Sequence, residues 1–531
     1  MKELSSYERN VVRRASMGDM LVRTAARNPD KKVFSFRDAQ FTYRQFNEAV
    51  NRCAGSLAKL GVKKGDRAAI LSHNCHQFVI YWWALLKLGA IVTPLNFMLK
   101  PEEIEFIINH SEPVVFFVED SLVENVVPVQ NKLSGVKYFG FINLSESGGM
   151  PEGWMDFDEL YKESLPAGEP KVEIYPEDPA TLLYTSGTEA NPKGVLNSHL
   201  NYYIDILSSL FDLRIREDAR IITGIPLYHV AAMYLFTAIV AVGATTVMEY
   251  APDPKEILDL THNEKITHWV WPPALYTGLP MMPGFEEYDL SSLEQCVVFG
   301  SLAPPAVLEK WRKIVPEAGF MNYYGQTEMS PLGTSLRPED FDRKSTSIGK
   351  AHMPLLAKVV DHNDEEVPVG QEGELVARGP AVMLGYYKDE EKTAQTFRNG
   401  WHHTGDLVRM DEEGFVYFID RIKDVIKTGG ENVASQEVEA MLYNCPGVVD
   451  AAVIGMPDEY WSEIVTAVVV PAQGQELTEE GVVEFCKEKL AGYKVPKKVI
   501  ILDELPRNPS GKIIKKQLRQ RFASEEKSST A

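Results

Sequence analysis

The sequence predicts an α/β fold. It reads as a large N-terminal domain of parallel-type α/β layers with a small β subdomain, joined by a hinge to a smaller α+β domain. Three observations carry this. Amphipathic helical stretches alternate with short apolar strand runs through most of the chain, a pattern that pairs strands in parallel and puts helices on the sheet faces. After about residue 350 the strands become regular and turn-bounded, as in KVVDHNDEEVPVGQEGELVARG and GFVYFIDR. Beyond Arg421 short strands and helices return, rich in lysine.

The first elements follow in order. Residues 42–60 form an amphipathic helix with Thr42 at its N-cap, where a hydroxyl accepts a first-turn amide. RAAIL at 67–71 is a buried strand. Residues 77–88 are a helix stopped by Gly89, and 90–94 are the next strand. Further strands are expected at 114–118, 181–184, 269–271 and 295–299. The best boundary lies near 420–423, giving domains 1–420 and 421–531.

Residues 221–248 hold no charged side chain, and their apolar part is long enough to span a bilayer. We read them as a fully buried helix, a break at Gly243, and a buried strand at 244–248, whose Thr and Val content suits a sheet. Pro226 and His229 fit a soluble core better than a lipid surface. A membrane anchor is the alternative, but no second span or basic flank supports it.

Composition excludes several classes. With 44% hydrophobic and 24% charged residues the chain is globular. A net charge of -20 argues against nucleic acid and against an anionic membrane as the main partner. No integral span is expected; peripheral membrane contact and a homodimer stay open. The five cysteines, Cys53, Cys75, Cys296, Cys445 and Cys486, are scattered and form no CxxC pair. That excludes a disulfide framework or zinc ribbon and predicts a reducing cytoplasm. The opening MKELSSYERN has no apolar run, so no secretory leader is expected, and the closing EEKSSTA is a polar tail.

The chemistry begins at TLLYTSGTEANPKG, 181–194. A buried strand runs into small hydroxylated residues. Gly187 lets backbone amides approach phosphate oxygens; Thr185, Ser186 and Thr188 add hydroxyl donors; Lys193 adds charge. It is not a Walker A loop, because Pro192 stands where the second glycine belongs and Gly194 follows the lysine.

This loop resembles the signature of the adenylate-forming superfamily, which includes acyl-CoA synthetases, peptide-synthetase adenylation domains and luciferases. It departs from the family pattern at Glu189 and Ala190, where Thr or Ser and then Gly are usual; we take Glu189 to point into solvent. The resemblance then covers nearly the whole chain. PLYHV at 226–230 is similar to the acyl-pocket motif, with His229 steering the carboxylate or thiol. A core histidine is the alternative reading of His229. FGSLAPP at 299–305 resembles the loop lining adenine and acyl pockets, so Phe299, Gly300, Ser301 and Ala303 are expected there. NYYGQTE at 322–328 resembles the adenine and metal motif. It implies Tyr324 stacked on adenine, Gly325 and Gln326 beside it, Thr327 on the α-phosphate, and Glu328, with Thr185, as Mg²⁺ ligands.

WHHTGD at 401–406 resembles the ribose motif, implying Asp406 on the ribose hydroxyls. DRIKDVIKTGGENV at 420–433 resembles the hinge, implying Arg421 on ribose or phosphate, Lys423 as pivot, and Gly429 and Gly430 lining the CoA passage. PRNPSGK at 506–512 resembles the terminal motif, whose Lys512 bridges the substrate carboxylate and the α-phosphate. The other lysines of this region are read as a solvated face.

The resemblance implies an AMP-forming acid–thiol ligase that uses ATP and CoA as co-substrates and Mg²⁺ as cofactor. Its catalytic groups would be Lys512, Thr327 and His229. Gly325 leaves the acyl pocket open, and Met233, Tyr234 and Phe299 suggest an apolar lining, which fits a medium or long fatty acid or an aryl or cyclic acid. The alternatives are an adenylate former with another acceptor, a carrier protein or a luciferin-type reaction, and a non-catalytic nucleotide-binding homologue.

Overall fold

The computed structural model describes residues 4–145, 148–185, 192–300, 305–429, 431–458, 460–472, 474–475, 477–507 and 513–529. It divides into two compact units, 1–357 with 377–402, and 358–376 with 403–531. The expected domain cut between 420 and 421 falls inside the second unit.

The first unit is built on two large sheets. One has nine strands, of which six run parallel in the order Gly319–Gly325, Gln295–Phe299, His268–Trp271, Arg220–Thr223, Thr245–Met248, Lys32–Phe36. Antiparallel strands close its edges. The other has eight strands, with Ile91–Leu95, Arg67–Leu71, Val115–Glu119 and Tyr138–Ile142 side by side and parallel. Their strands read as near-continuous apolar runs because helices cover both faces.

Local chemistry sets the boundaries. Thr42 caps helix Tyr43–Lys59 through a reciprocal box with Gln45, as its hydroxyl predicts. Gly89 ends helix His76–Leu88 in the left-handed conformation at φ 65°. That helix is buried along its length, and its Trp82 and Trp83 pack against Phe236 and Phe46. The uncharged stretch resolves into helix Val230–Val242, a left-handed break at Gly243 and strand Thr245–Met248. Among the described residues no helix is long and apolar enough to cross a membrane.

The second unit carries the small sheet containing Glu372–Arg378 and Val416–Arg421, and a separate five-stranded sheet. In the latter, Val448–Asp458 and Ser462–Pro471 pair antiparallel and Lys498–Ile501 adds in parallel. One face buries Val453, Val465, Ala467 and Leu442; the other buries Ile454, Val468, Leu518 and Phe522. Lys487, Lys489, Lys497 and Lys516 are exposed, as a solvated face implies, whereas Lys494 and Lys515 are half-buried in ion pairs. Lys494 pairs with Glu437 at 2.7 Å, Lys515 with Glu439 at 2.7 Å, and Lys497 sits 3.1 Å from the centre of the Trp461 ring.

Candidate active site

Strand Pro179–Thr185 enters the small-residue loop and Lys193–Ser198 leaves it antiparallel, with Thr185 opposite Lys193. Ser186, Gly187, Thr188, Glu189 and Ala190 lie outside the described residues, but the flanks are held firmly. The Tyr387 amide donates to the Gly194 carbonyl and the Leu384 amide to that of Leu196, so strand Gly385–Tyr386 is stitched to the exit strand.

Tyr386 then joins two predicted groups. Its ring lies 5.8 Å from the Lys193 ammonium, and its hydroxyl donates to Glu328 Oε1 at 2.9 Å. The Met383 amide donates to the Glu328 carbonyl, and Asn197 Nδ2 donates to the Thr327 carbonyl at 3.1 Å. Thr185, Lys193, Thr327 and Glu328 are thereby gathered about one loop exit. The donor set fits Mg²⁺: Glu328 offers a hard carboxylate oxygen and Thr185 a hydroxyl, which suits an ion that takes its remaining ligands from phosphate and water.

Tyr324, Gly325 and Gln326 follow from strand Gly319–Gly325 at the same edge, and Gln326 Oε1 lies 3.3 Å from His402 Nε2. Gly325 has a tight reason to be glycine. A Cβ there would stand 1.7 Å from the Pro331 carbonyl oxygen. The missing side chain is required by the backbone, whose Pro331 carbonyl fills the room a Cβ would take.

His229 sits at the N-cap position of helix Val230–Val242 and makes no side-chain capping bond; its ring lies 4.4 Å from that of Tyr228. Asn74 fixes this loop by donating to the Ile225 carbonyl at 3.1 Å and accepting from the Leu227 amide at 2.7 Å. Met233 is fully buried, Phe299 ends its strand half-buried, and Gly300 follows at φ 84°. Ser301 and Ala303 lie outside the described residues.

In the second unit Asp406 is buried and lies opposite Arg421 across two strands, Oδ1 to Nε 3.5 Å. Glu374 shapes the turn before it, accepting from the Gly405 amide at 2.9 Å and meeting His403 Nδ1 at 2.8 Å. Lys423 follows, its pKa brought down to about 8 by burial and by the neighbouring Arg421. The Gly429 amide donates to the Trp461 carbonyl at 2.8 Å, and a Cβ on Gly429 would stand 2.6 Å from the Trp461 ring. Gly430 and Lys512 lie outside the described residues. Arg507 and Ile513 bridge at the base of the Lys512 segment.

Sequence reasoning did not single out Tyr386, Asn197, Asn74, Glu374 or Trp461. Each acts through hydrogen bonds or ring contacts made between segments distant in sequence, which no local pattern announces.

A strand entering a hydroxyl-rich sequence and a hydroxyl-held carboxylate beside the strand that leaves it are what an adenylate-forming enzyme requires. The chain belongs to the AMP-binding enzyme family: residues 21–387 match that family's model, and 437–512 match that of the AMP-binding enzyme C-terminal domain. Within it, the chain falls in the acyl-CoA synthetase branch. It is 34% identical over 519 residues to the long-chain-fatty-acid–CoA ligase FadD13 of Mycobacterium tuberculosis, covering 96% of this chain and 99% of that one. Among solved structures it resembles the anthranilate CoA ligase AuaEII in complex with anthranoyl-AMP, with a TM-score of 0.87, 26% identity and coverage of 97% and 99%. It also resembles the o-succinylbenzoate CoA synthetase MenE of Bacillus subtilis in complex with ATP and magnesium, with a TM-score of 0.83, 30% identity and coverage of 94% and 98%.

Proposed function

We propose that the protein is an ATP-dependent acyl-CoA ligase that activates a carboxylic acid as its acyl-adenylate and passes the acyl group to CoA, releasing AMP and pyrophosphate. The observation that carries this reading is the gathering of Lys193, Glu328 and Thr327 around Tyr386 and Asn197 at the loop exit. A cation and a carboxylate fixed at one loop are what a polyphosphate and a divalent cation need together.

In the first step a carboxylate oxygen attacks the ATP α-phosphorus and pyrophosphate leaves. Two anions must meet, so positive groups have to cancel charge. Lys193 and the loop amides hold the departing phosphates, and Lys512 and Thr327 stabilise the α-phosphoryl oxygens. Asp406 and Arg421 take the ribose side. Mg²⁺, held by Glu328 and Thr185 when bound, supplies charge neutralisation on the phosphates.

In the second step the CoA thiol attacks the acyl carbonyl and AMP leaves. Lys512 has to withdraw, and a rotation at Lys423 presents Gly429 and Gly430 for the thiol arm. His229 orients the acyl carboxyl at the mouth of a pocket bounded by Met233, Phe299, Gly300 and Gly325. A medium or long fatty acid or an aryl acid is the substrate class, in keeping with relatives named for both. The five cysteines are free and buried, which supports a cytoplasmic setting.

The test is purified protein with ATP, Mg²⁺ and a panel of carboxylic acids, with and without CoA, following pyrophosphate and AMP. Acid-dependent pyrophosphate with CoA-dependent AMP is expected. Pyrophosphate that CoA does not accelerate would assign another acceptor, and ADP with phosphate would overturn the reading.

A further inference from the structure

The parallel strands of the nine-stranded sheet run in register. Thr223 stands beside Met248, Ile221 beside His268, Trp271 beside Val298, and Val298 beside Asn322. One step on from Thr223, the same register sets Gly224 between Glu249 and Trp271. Residues on one rung of a parallel sheet face the same way. Gly224 has no side chain to offer, and its two neighbours fill the room it leaves. A Cβ on Gly224 would stand 2.3 Å from Glu249 Oε2 and 2.6 Å from Trp271 Cη2.

Both groups are polar, buried and unsatisfied. Glu249 and Trp271 are each 1% exposed. Among the described residues neither carboxyl oxygen of Glu249 nor the Trp271 indole N–H has a partner within hydrogen-bond geometry. Burial, then the nearby Glu256 and Asp253, push the Glu249 carboxyl up to about 9, against a smaller opposing pull from the Asp253 amide. Near pH 7 the group is therefore an uncharged acid with one donor and one acceptor. Leaving such a group unpaired in the interior is costly, and a ligand that pairs it recovers the cost.

The rung lies at the carboxyl end of the sheet, the edge where open α/β sheets bind ligands. Gly224 leads directly into the loop carrying Tyr228 and His229, and Tyr324 stands two residues beyond Asn322 on the same side of the sheet.

Resting on the acyl-CoA ligase reading, we propose that Glu249 and Trp271 form a polar seat in the wall of the acyl pocket, and that the preferred acid carries a hydroxyl or carbonyl oxygen on its tail. The neutral carboxyl can donate to that oxygen and accept from a hydroxyl, while the indole donates. A second carboxylate on the tail is a poor guest, because Glu256 and Asp253 stand nearby.

The experiment uses pairs of acids that differ only in a tail hydroxyl or keto group: alkanoic acids of several lengths, and benzoic acids with and without a ring hydroxyl. CoA-dependent AMP formation gives kcat/KM for each, in the wild type, Glu249→Gln, Glu249→Leu and Trp271→Phe. The wild type is expected to favour the oxygenated member of at least one pair. Glu249→Gln keeps a donor and an acceptor and keeps the preference. Glu249→Leu shifts the ratio toward the plain acid by about 10- to 100-fold, because an oxygen then faces an apolar wall. A wild type that favours the plain acid in every pair, or a ratio that Glu249→Leu leaves unmoved, overturns the proposal while the ligase reading stands. No CoA-dependent AMP with any acid sinks the ligase reading and the seat with it. If Glu249→Leu does not fold, by thermal melting, Trp271→Phe carries the test, and an unchanged ratio there overturns the proposal.

Discussion

Tyr386 gives the clearest case of a residue whose importance is geometric. Its hydroxyl orients Glu328 and its ring lies against Lys193, so one side chain sets two charges of opposite sign. Tyr386→Phe keeps the ring and removes the donor. Folding should lose only about 1 kcal/mol, the usual worth of one such bond. Turnover should fall about tenfold, with a higher Mg²⁺ concentration needed for half-maximal rate, because the carboxylate is no longer held for the ion. Pyrophosphate exchange measured against Mg²⁺ checks this, and an unchanged Mg²⁺ dependence would break the link between Tyr386 and the ion. Gly325 makes the opposite point. Gly325→Ala drives a Cβ against the backbone carbonyl of Pro331, which cannot swing away as a side chain could. A loss of about 1–3 kcal/mol in urea unfolding is expected whatever the acid, so a fall in activity in this variant does not by itself report on pocket size.

At the scale of elements, the strands and helices of the first unit were readable because burial on both faces leaves uninterrupted apolar runs, and capping residues mark their ends. Strand 67–71 and strand 295–299 fall on the residues expected, and Gly89 and Gly243 end their helices as their conformational freedom implies. The motifs stand out because their residue types are written locally, and the structure brings Thr185, Lys193, Thr327 and Glu328 to one loop exit. What escaped was long-range: Asn74 clamping the His229 loop, Glu374 shaping the turn before Asp406, and the pairing of helix His199–Leu213 with the end of the sheet. That last contact is a buried charge cluster. His352 lies 3.0 Å from Asp205 and 3.4 Å from Asp212, and Arg337 holds Asp212 at 2.7 Å. Burial works against charge on His352, but the two carboxylates outweigh it and raise its pKa to about 9. A histidine raised above its unfolded value of about 6.5 stabilises the fold fully below that pH and loses the contribution as pH climbs through its folded value. Stability should therefore fall between pH 6.5 and about 9, by on the order of 3 kcal/mol at most. His352→Gln should flatten that part of the profile. Urea midpoints measured across this range decide it, and parallel profiles for the two proteins would show that the cluster does not titrate there.

At the scale of the whole molecule, the question is where the chain can swivel. The compact units exchange chain at 357–358, 376–377 and 402–403. Strand Val416–Arg421 belongs to one sheet and Ile426–Thr428 to the next, so a single passage of chain links them. From Ile426 onward the chain buries its own apolar side chains on both faces of its own sheet, so it has the makings of a rigid body. Lys423 stands between, in a turn closed by the Asp424 and Val425 amides donating to the Arg421 carbonyl. We therefore expect the movement between half-reactions to occur at Lys423, inside the second compact unit. Lys423→Pro fixes φ at this position and stiffens the turn. The first half-reaction, read as acid-dependent exchange of pyrophosphate into ATP, should stay within about threefold of the wild type, while CoA-dependent AMP release falls by about tenfold or more, because only the second step needs the rotation. Lys423→Ala, which removes the charge and leaves φ free, should retain most of both activities. Equal loss of the two half-reactions in Lys423→Pro would place the swivel elsewhere. Loss in Lys423→Ala as deep as in Lys423→Pro would make the ammonium, and not the backbone, the working part of this residue.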